Sequence, residues 1–353
     1  MSGTMKAVVF KGPRKIAVED RPIPQIQAPT DVIVKVQLTA LCGSELHVFR
    51  GHQKSDTGFI MGHEFTGVIT AVGSSVKDFK VGDKVVSPFT TSCLNCFYCN
   101  NGETSRCASS TLFGCGKLDG GQAEYVRIPS ADGTLVLAPP EIPDETLVLM
   151  ADIFPTGYFA ASNAFSRLSL PASSATAILI GCGPVGLCAL IAALEYRPRH
   201  IFAIDSVPSR LELARQLGAE PLNFMDDPEG MRRRVKEVTE GRGADVVMEV
   251  VGLSPALGLA VELVRPFGVV SSVGVHNAEI PFTGAEAYNK NLKIQFGRCP
   301  VRGVFPAALE VMKKNVSKLG FMADKIMPLS AAEEGYELFD AMKVQKVIFR
   351  ADA

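Results

Sequence analysis

The chain has 353 residues, of which 47% are hydrophobic and 21% charged, and its formal net charge is −1. This length exceeds the roughly 250 to 300 residues at which a single hydrophobic core stops growing, so we expect two domains. The balanced charge argues against nucleic acid or an anionic membrane as a partner, and without about 18 consecutive apolar residues we expect no transmembrane helix.

Short β-branched segments separated by Gly, Pro and Asp dominate the first 150 residues or so. The clearest are KAVVF (6–10), DVIVKVQLTAL (31–41), FTGVITAVG (65–73), DKVVSPF (83–89) and AEYVRIP (123–129). Segments of this kind are typical of strands joined by turns. We therefore predict an irregular β-rich domain over residues 1–153.

Four of the chain's nine cysteines lie in SCLNCFYCNNGETSRC (92–107). No signal peptide is visible, so we expect a cytoplasmic protein in which clustered cysteines serve metal binding or catalysis rather than disulfides. The spacing C-x2-C-x2-C-x7-C lets four thiolates surround one zinc ion, which leaves no open position for a substrate. The cysteine lobe (93–107) is therefore predicted to hold a structural zinc through Cys93, Cys96, Cys99 and Cys107.

Two other uses of these thiols stay open at this point. An iron–sulfur cluster also takes four cysteines. A thiol–disulfide exchange site fits less well, because such motifs carry two cysteines beside a βαβ pattern. Zinc is preferred because the next part of the chain predicts a nicotinamide-binding fold.

Beyond about residue 150, apolar strands alternate with helices. The strands are ATAILI (175–180), HIFAID (200–205), ADVVMEVVG (244–252) and GVVSSVGV (268–275), and the helices include SRLELARQLGA (209–219) and SPALGLAVELVRP (254–266). This alternation predicts an α/β domain with a doubly wound parallel sheet over residues 154–299.

The first turn of that domain carries GCGPVG, with Gly181, Gly183 and Gly186 in G-x-G-x-x-G spacing. It follows a strand and opens a helix, the context of a Rossmann-type phosphate-binding turn. Asp205 ends the second strand, 19 residues after Gly186. Its carboxylate would bind ribose hydroxyls and repel a 2′-phosphate, which favours NAD over NADP, although Arg210 nearby weakens that preference.

The last part of the chain, 300–353, predicts two helices, PAALEVMKKNV (306–316) and SAAEEGYELFDAMK (330–343), and a strand, KVIFR (346–350). We expect this segment to return to the first domain.

The motifs together resemble the zinc-dependent medium-chain alcohol dehydrogenase family over nearly the whole chain. They are CGSELH (42–47), GHEFTGVI (62–69), the cysteine lobe, GGQAEYVRIP (120–129), DIFPTGY (152–158), GCGPVG (181–186) and Asp205. DIFPTGY is particularly similar to the formaldehyde-dehydrogenase-like branch. The resemblance implies a GroES-like catalytic domain beside the Rossmann domain.

The resemblance also implies roles for residues that spacing alone would not bring together. Cys42, His63 and Asp152 match the ligands of a catalytic zinc, although some branches of the family use Cys or Glu at the third position. Glu64 matches a carboxylate near the metal, and Glu45 matches a position, usually Asp, that orients the ligand histidine. The remaining implied site residues are Ser44 and His47 in a proton relay, Phe89 in the substrate pocket, and Thr156, Pro184, Val185, Val273 and Val275 along the cofactor.

The activity implied is reversible hydride transfer between NAD and an alcohol, with zinc lowering the pKa of the substrate hydroxyl and Ser44 and His47 removing its proton. An oxidoreductase of this kind would bind two zinc ions and NAD, act on a small alcohol or carbonyl compound, and form a homodimer or homotetramer. Two alternatives share the scaffold. One is an NADP-dependent reductase, and the other is an NAD-binding protein that has lost catalysis.

Overall fold

The computed structural model describes residues 3–351. They fold into two compact units, one made of the chain up to Ile153 together with the segment from Pro300 onward, and the other of Phe154–Cys299. Within residues 3–351, every helix is too short or too polar to cross a membrane.

Strands predominate in the first 153 residues. The strands are β1 (Thr4–Gly12), β2 (Lys15–Pro22), β3 (Val32–Leu41), β4 (Glu64–Val72), β5 (Lys84–Ser87), β6 (Tyr125–Ile128) and β7 (Val136–Leu137). The helices are α1 (Gly43–Phe49), α2 (Phe97–Asn100), α3 (Ala131–Thr134) and α4 (Asp144–Leu147). Strand β2, which the sequence analysis did not predict because its segment is charged, pairs antiparallel with β1.

The second unit alternates helices and strands. Its elements are α5 (Ile153–Ser166), β8 (Thr176–Ile180), α6 (Pro184–Leu194), β9 (His200–Asp205), α7 (Pro208–Leu217), β10 (Glu220–Asn223), α8 (Pro228–Val238), β11 (Ala244–Glu249), α9 (Ser254–Leu263), β12 (Val264–Ser272), α10 (Gly284–Asn289) and β13 (Lys293–Phe296). Helix α5 begins one residue before the boundary between the units.

The C-terminal segment contributes α11 (Val301–Asn315), β14 (Ile326–Pro328), α12 (Ala332–Asp340) and β15 (Val347–Arg350). Strand β15 pairs antiparallel with β3, and Val347 lies opposite Leu41. The sheet of the first unit, as far as the chain is described, runs β14-β15-β3-β4-β5-β7, with β6 also paired to β3. Its core includes Phe65, Tyr336 and Phe349, so residues far apart in sequence share one apolar interior.

The pairing of β3 with β4 prepares one site. Ala40 lies opposite Glu64, so the end of β3 and the start of β4 meet at one edge. Cys42 directly follows β3 and His63 directly precedes β4. The sheet register therefore brings these two side chains to the same place.

The sheet of the second unit is parallel throughout its described strands, in the order β10-β9-β8-β11-β12-β13. This confirms the predicted doubly wound sheet beside a β-rich domain. The edge strands β10 and β13 were not predicted, since they are short and only half-buried and so lack a long apolar run. Strand β12 ends at Ser272, so Val273 and Val275, predicted as strand, lie in the loop beyond its carboxyl end.

Candidate active site and metal centres

The structure brings the three predicted ligands of the catalytic metal together. The Cys42 Sγ donates to Asp152 Oδ2 across 3.5 Å, and His63 Nε2 lies 3.3 Å from the same oxygen. One ligand atom from each of Cys42, His63, Glu64 and Asp152 lies within 4.8 Å of the others, and all four residues are buried. Mixed sulfur, nitrogen and oxygen donors at this spacing suit a zinc ion that keeps a position for a further ligand.

Ser44 completes this cluster from helix α1. Its hydroxyl donates to Cys42 Sγ at 3.3 Å, and the same oxygen lies 3.3 Å from His63 Nε2. The helix begins directly after Cys42 because the Glu45 carboxylate accepts the Cys42 N–H at 2.9 Å, the backward bond of a capping box. The local fold therefore places a ligand, a hydroxyl and a carboxylate within one turn.

His47 is placed differently from Ser44. It lies half-buried three residues further along α1, and its ring centroid is 6.2 Å from that of exposed His52. Burial lowers the pKa of His47, and the positive charges of His52 and Arg50 lower it further. The imidazole is therefore neutral near pH 7 and able to accept a proton.

Glu45 faces the other nitrogen of the ligand histidine. Its Oε1 lies 3.6 Å from His63 Nδ1, within the range of an ion pair but beyond a good hydrogen bond. The Gln122 side-chain amide donates to both Glu45 oxygens at 3.4 Å, and the Tyr336 hydroxyl donates to Gln122 Oε1 at 2.9 Å. The donors therefore point in one direction, from α12 through Gln122 to Glu45.

Glu64 is held by a buried lysine that the sequence analysis missed. Lys346 Nζ lies 2.6 and 2.9 Å from the two carboxylate oxygens, and both side chains are fully buried. Lys346 directly precedes β15, which pairs with β3 next to Cys42. In the sequence it is one lysine among many before a short apolar run, and only the strand register shows its position.

The electrostatics of this cluster favour a bound cation. Burial raises the pKa of the Cys42 thiol, and it raises the pKa of Glu64 to about 7 even though Lys346 opposes the shift. Burial alone would lower the pKa of His63, but Glu45 and Asp152 hold that pKa well above its ordinary value. Several buried anionic groups thus share few cations, and a divalent ion would replace the protons that burial otherwise forces onto them. The donor set fits zinc.

Phe89 lies against this cluster. Its ring is buried and meets the His63 ring edge-on, with centroids 6.1 Å apart. An aromatic wall beside the ligand histidine is consistent with the predicted place of Phe89 near the substrate.

The cysteine lobe forms the second candidate centre. The sulfur atoms of Cys93, Cys96, Cys99 and Cys107 lie within 4.8 Å of one another, and every cysteine of the described chain is a free thiol. Hydrogen bonds from backbone N–H groups lower the pKa of Cys96 to about 6, and the bond from Ala108 has the largest effect. Burial raises the pKa of Cys99 to about 12. Backbone donors around a sulfur stabilise a thiolate, so the four-sulfur set fits a closed zinc site.

Helix α11 packs closely on the cysteine lobe. The Gly303 N–H donates to Thr104 Oγ1 at 3.1 Å, and a Cβ on Gly303 would lie 2.1 Å from the Gly102 carbonyl oxygen. Disorder of the lobe would therefore also disturb the packing of the C-terminal segment.

The glycine turn is tight and leaves open space at the start of α6. Gly181 has φ +95°. A Cβ on Gly186 would lie 1.9 Å from the Gly181 carbonyl oxygen, so this glycine allows the helix to approach the strand. A Cβ on Gly183 would meet only Arg210 Nη1, at 4.0 Å, which leaves open space at the start of α6. Pro184 is the first residue of that helix, whose N-terminus attracts an anion.

Asp205 at the end of β9 is fixed by the backbone. Its Oδ2 accepts from the Cys182 N–H at 2.7 Å, and its Oδ1 accepts from Ser206 and Val207 at 2.7 and 2.9 Å. A carboxylate has about four acceptor positions, so roughly one remains for a ribose hydroxyl. The negative charge nevertheless stays beside the glycine turn.

The other predicted cofactor residues lie in the same unit, Phe154–Cys299. Val185 is half-buried in the first turn of α6, and Thr156 is half-buried in α5. Val273 and Val275 lie beyond the carboxyl end of β12, and the Val273 N–H donates to the Glu249 carbonyl at 3.0 Å. Carboxyl ends of parallel strands are where ligands bind in such sheets.

Two protein-family models match this chain, one in each unit for most of its length. The family model for the alcohol dehydrogenase GroES-like domain matches residues 28–140, and the model for zinc-binding dehydrogenases matches residues 184–314. Zinc-type alcohol dehydrogenase B of Aspergillus flavus is 66% identical over 348 residues, which cover 98% of this chain and 81% of the relative.

Two further similarities extend this result. The medium chain reductase/dehydrogenase ucsI of an Acremonium species is 56% identical over 286 residues, covering 80% of this chain and 98% of the relative. Among solved structures, alcohol dehydrogenase TADH from Thermus sp. ATN1 superposes with a TM-score of 0.90 at 37% identity, covering 98% of this chain and 99% of the other.

Proposed function

The chain belongs to the zinc-type medium-chain alcohol dehydrogenase family, and from this premise we propose that it oxidises an alcohol with NAD and catalyses the reverse reduction of an aldehyde or ketone. The observation that carries the proposal is the buried cluster of Cys42, His63 and Asp152 with Ser44 beside it. A degenerate scaffold has no reason to retain both a mixed metal-ligand set and a hydroxyl in contact with it.

In this proposal Cys42, His63 and Asp152 hold the catalytic zinc. When bound, the ion supplies Lewis-acid stabilisation of negative charge on the substrate oxygen. The carboxylate of Glu45 keeps His63 oriented through Nδ1, and Lys346 holds Glu64 at the edge of the cluster. Phe89 excludes water from one side of the ligand histidine.

The proton of the substrate hydroxyl leaves through the protein. Ser44 Oγ lies next to two ligand atoms and could accept that proton while it passes its own hydroxyl proton onward. His47 is neutral near pH 7 because burial lowers its pKa, so it can take the proton onward toward solvent. When bound, NAD would supply the hydride acceptor.

We propose NAD rather than NADP because of Asp205. Its backbone-fixed carboxylate lies beside the glycine turn, where a 2′-phosphate would bring like charges together. Arg210, close to Gly183, provides the opposing influence. The cysteine lobe is proposed to bind a second zinc with a structural role. A cytoplasmic location and a homodimer or homotetramer stay predictions.

Metal content and turnover test the proposal together. Purified protein should contain about two zinc atoms per chain and reduce NAD with at least one member of a panel of primary and secondary alcohols. Asp152→Asn should retain about one zinc and lose turnover. Asp20→Asn, which removes an exposed carboxylate of the same unit, should retain both. A protein with one zinc and no turnover on any alcohol or aldehyde would favour the degenerate scaffold.

The cofactor preference is tested separately. Asp205→Ala should lower the ratio of kcat/KM for NAD to that for NADP by at least about tenfold, because it removes the repulsion and one ribose acceptor. Asp226→Asn, an exposed carboxylate in the same unit, serves as the control. Unchanged use of NAD by Asp205→Ala would show that the ribose role is wrong.

A further inference from the structure

The Glu249 carboxylate, at the end of β11, is fully occupied by donors from the loop after β11, from the end of β12 and from the loop beyond it. Its Oε1 accepts from the Val251 and Gly252 N–H groups, both at 2.7 Å. Its Oε2 accepts from the Ser272 hydroxyl at 2.6 Å, and His276 Nε2 lies 3.0 Å from the same oxygen. Four donors fill the acceptor positions of a carboxylate, so Glu249 has none left for a ligand.

The hydrogen bonds of His276 indicate which ring nitrogen carries its proton. Its Nε2 also lies 2.8 Å from Ser272 Oγ. Because the serine proton is donated to Glu249, the serine oxygen can only accept from the histidine, so Nε2 carries the proton and donates to both groups. The Phe296 ring meets the His276 ring edge-on with centroids 5.6 Å apart, which restricts its rotation.

Ser272 and His276 enclose the three residues between them. Both side chains are anchored on one fully buried carboxylate, so residues 273–275 form a loop closed at both ends. The loop also packs backbone against backbone on Gly252, since a Cβ on Gly252 would lie 2.6 Å from the Val275 N. Yet the Val275 side chain remains 50% exposed, so one face of the loop is open to a ligand.

We propose that His276 is a positioning residue for the cofactor, which acts with Ser272 through Glu249 to hold the 273–275 loop in the shape that receives the nicotinamide end. This inference rests on the proposed NAD-dependent function. Neither His276, which is only 11% exposed, nor the saturated Glu249 contacts the cofactor in this view; the loop backbone does. Preorganising that backbone saves the cost of ordering it when the cofactor binds.

The test compares two ligands that differ in the nicotinamide. ADP-ribose retains the adenosine and pyrophosphate but lacks the ring that the loop would receive. His276→Ala should weaken NADH binding about tenfold, the size of one hydrogen bond to a charged group, and leave ADP-ribose binding unchanged. His276→Gln, whose amide N–H can replace the Nε2 donor, should recover part of the loss. Fluorescence titration for NADH and calorimetry for ADP-ribose give both affinities.

Two further proteins make the outcome unambiguous. His200→Gln changes a histidine at the amino end of β9, which lies between β10 and β8 and does not pair with β11 or β12, and this variant should bind both ligands as the unmodified protein does. Ser272→Ala removes the other side-chain donor to Glu249 and should also weaken NADH binding without weakening ADP-ribose binding. It provides the test if His276→Ala folds poorly. The inference is overturned if NADH affinity is unchanged in both variants, or if both ligands weaken equally. If the unmodified protein binds neither ligand, the proposed function itself is wrong.

Discussion

Lys346→Met is the substitution whose effect the structure defines most sharply. Lys346 and Glu64 are both fully buried, and the ammonium contacts both carboxylate oxygens. Methionine has a similar volume, so little cavity is left and the loss is electrostatic. Removing one partner of a buried ion pair leaves a carboxyl that must stay charged without a partner or take up a proton, and it costs about 3–5 kcal/mol of unfolding free energy. Urea titration followed by far-ultraviolet circular dichroism, in zinc-containing buffer, measures this cost.

A double variant separates the charge from the packing. Glu64→Met combined with Lys346→Met leaves no buried charge from this pair, and its cost should fall to about 1 kcal/mol or less. Lys325→Met is the matched control, since the Lys325 ammonium lies 3.9 Å from exposed Glu334, and this substitution should cost less than about 1 kcal/mol. The reasoning is refuted if Lys346→Met costs less than about 1 kcal/mol, or if the double variant is as unstable as the single one.

Three further predictions address the remaining parts of the site. Cys96→Ser should lose one zinc and lower the melting temperature, and activity should fall only as folded protein is lost. The control Cys115→Ser should keep both zinc ions. A fully folded Cys96→Ser protein with abolished turnover would contradict this prediction. Tyr336→Phe removes the hydroxyl that donates to buried Gln122, which should cost about 1–3 kcal/mol of unfolding free energy and let a chelator extract the catalytic zinc from the folded protein about tenfold faster. An unaltered extraction rate would show that the network does not support the metal. Burial lowers the pKa of His47 from its ordinary value of 6.5, so kcat/KM for alcohol oxidation should stay high at neutral pH and fall as the pH drops through this lowered pKa. His47→Gln should abolish this acidic fall in the pH profile. The same fall in the variant would assign it to another group.

The elements that could be predicted are those whose signal is local. The glycine turn shows why: Gly181 and Gly186 each meet a steric requirement of the turn itself, and the strand before them and the helix after them are apolar. The short, half-buried edge strands β10 and β13 lack such a signal, because pairing with a neighbour rather than their own pattern stabilises them.

The site divides in the same way. Cys42, Ser44 and Glu45 follow one another, and the capping bond between Cys42 and Glu45 spans three residues, so a motif can identify them. Their supports come from elsewhere: Lys346 is 282 residues from Glu64, and Tyr336 is 214 residues from Gln122. No sequence pattern links such pairs. Only the pairing of β15 with β3 and the packing of α12 in the same core bring them together.

Glu45 shows how such distant supports relate to a local departure from the family pattern. The resemblance implied Asp at this position, and the longer side chain brings its carboxylate to 3.6 Å from His63 Nδ1 rather than into a short hydrogen bond. A carboxylate at that distance orients the imidazole only if it is itself held, because otherwise its extra torsional freedom lets it turn away. The Cys42 N–H and the Gln122 amide provide that restraint, and the Tyr336 hydroxyl fixes the amide, since a flipped amide would turn its oxygen toward the carboxylate. The C-terminal segment thus supports both acidic neighbours of the metal cluster, Glu45 through Tyr336 and Glu64 through Lys346.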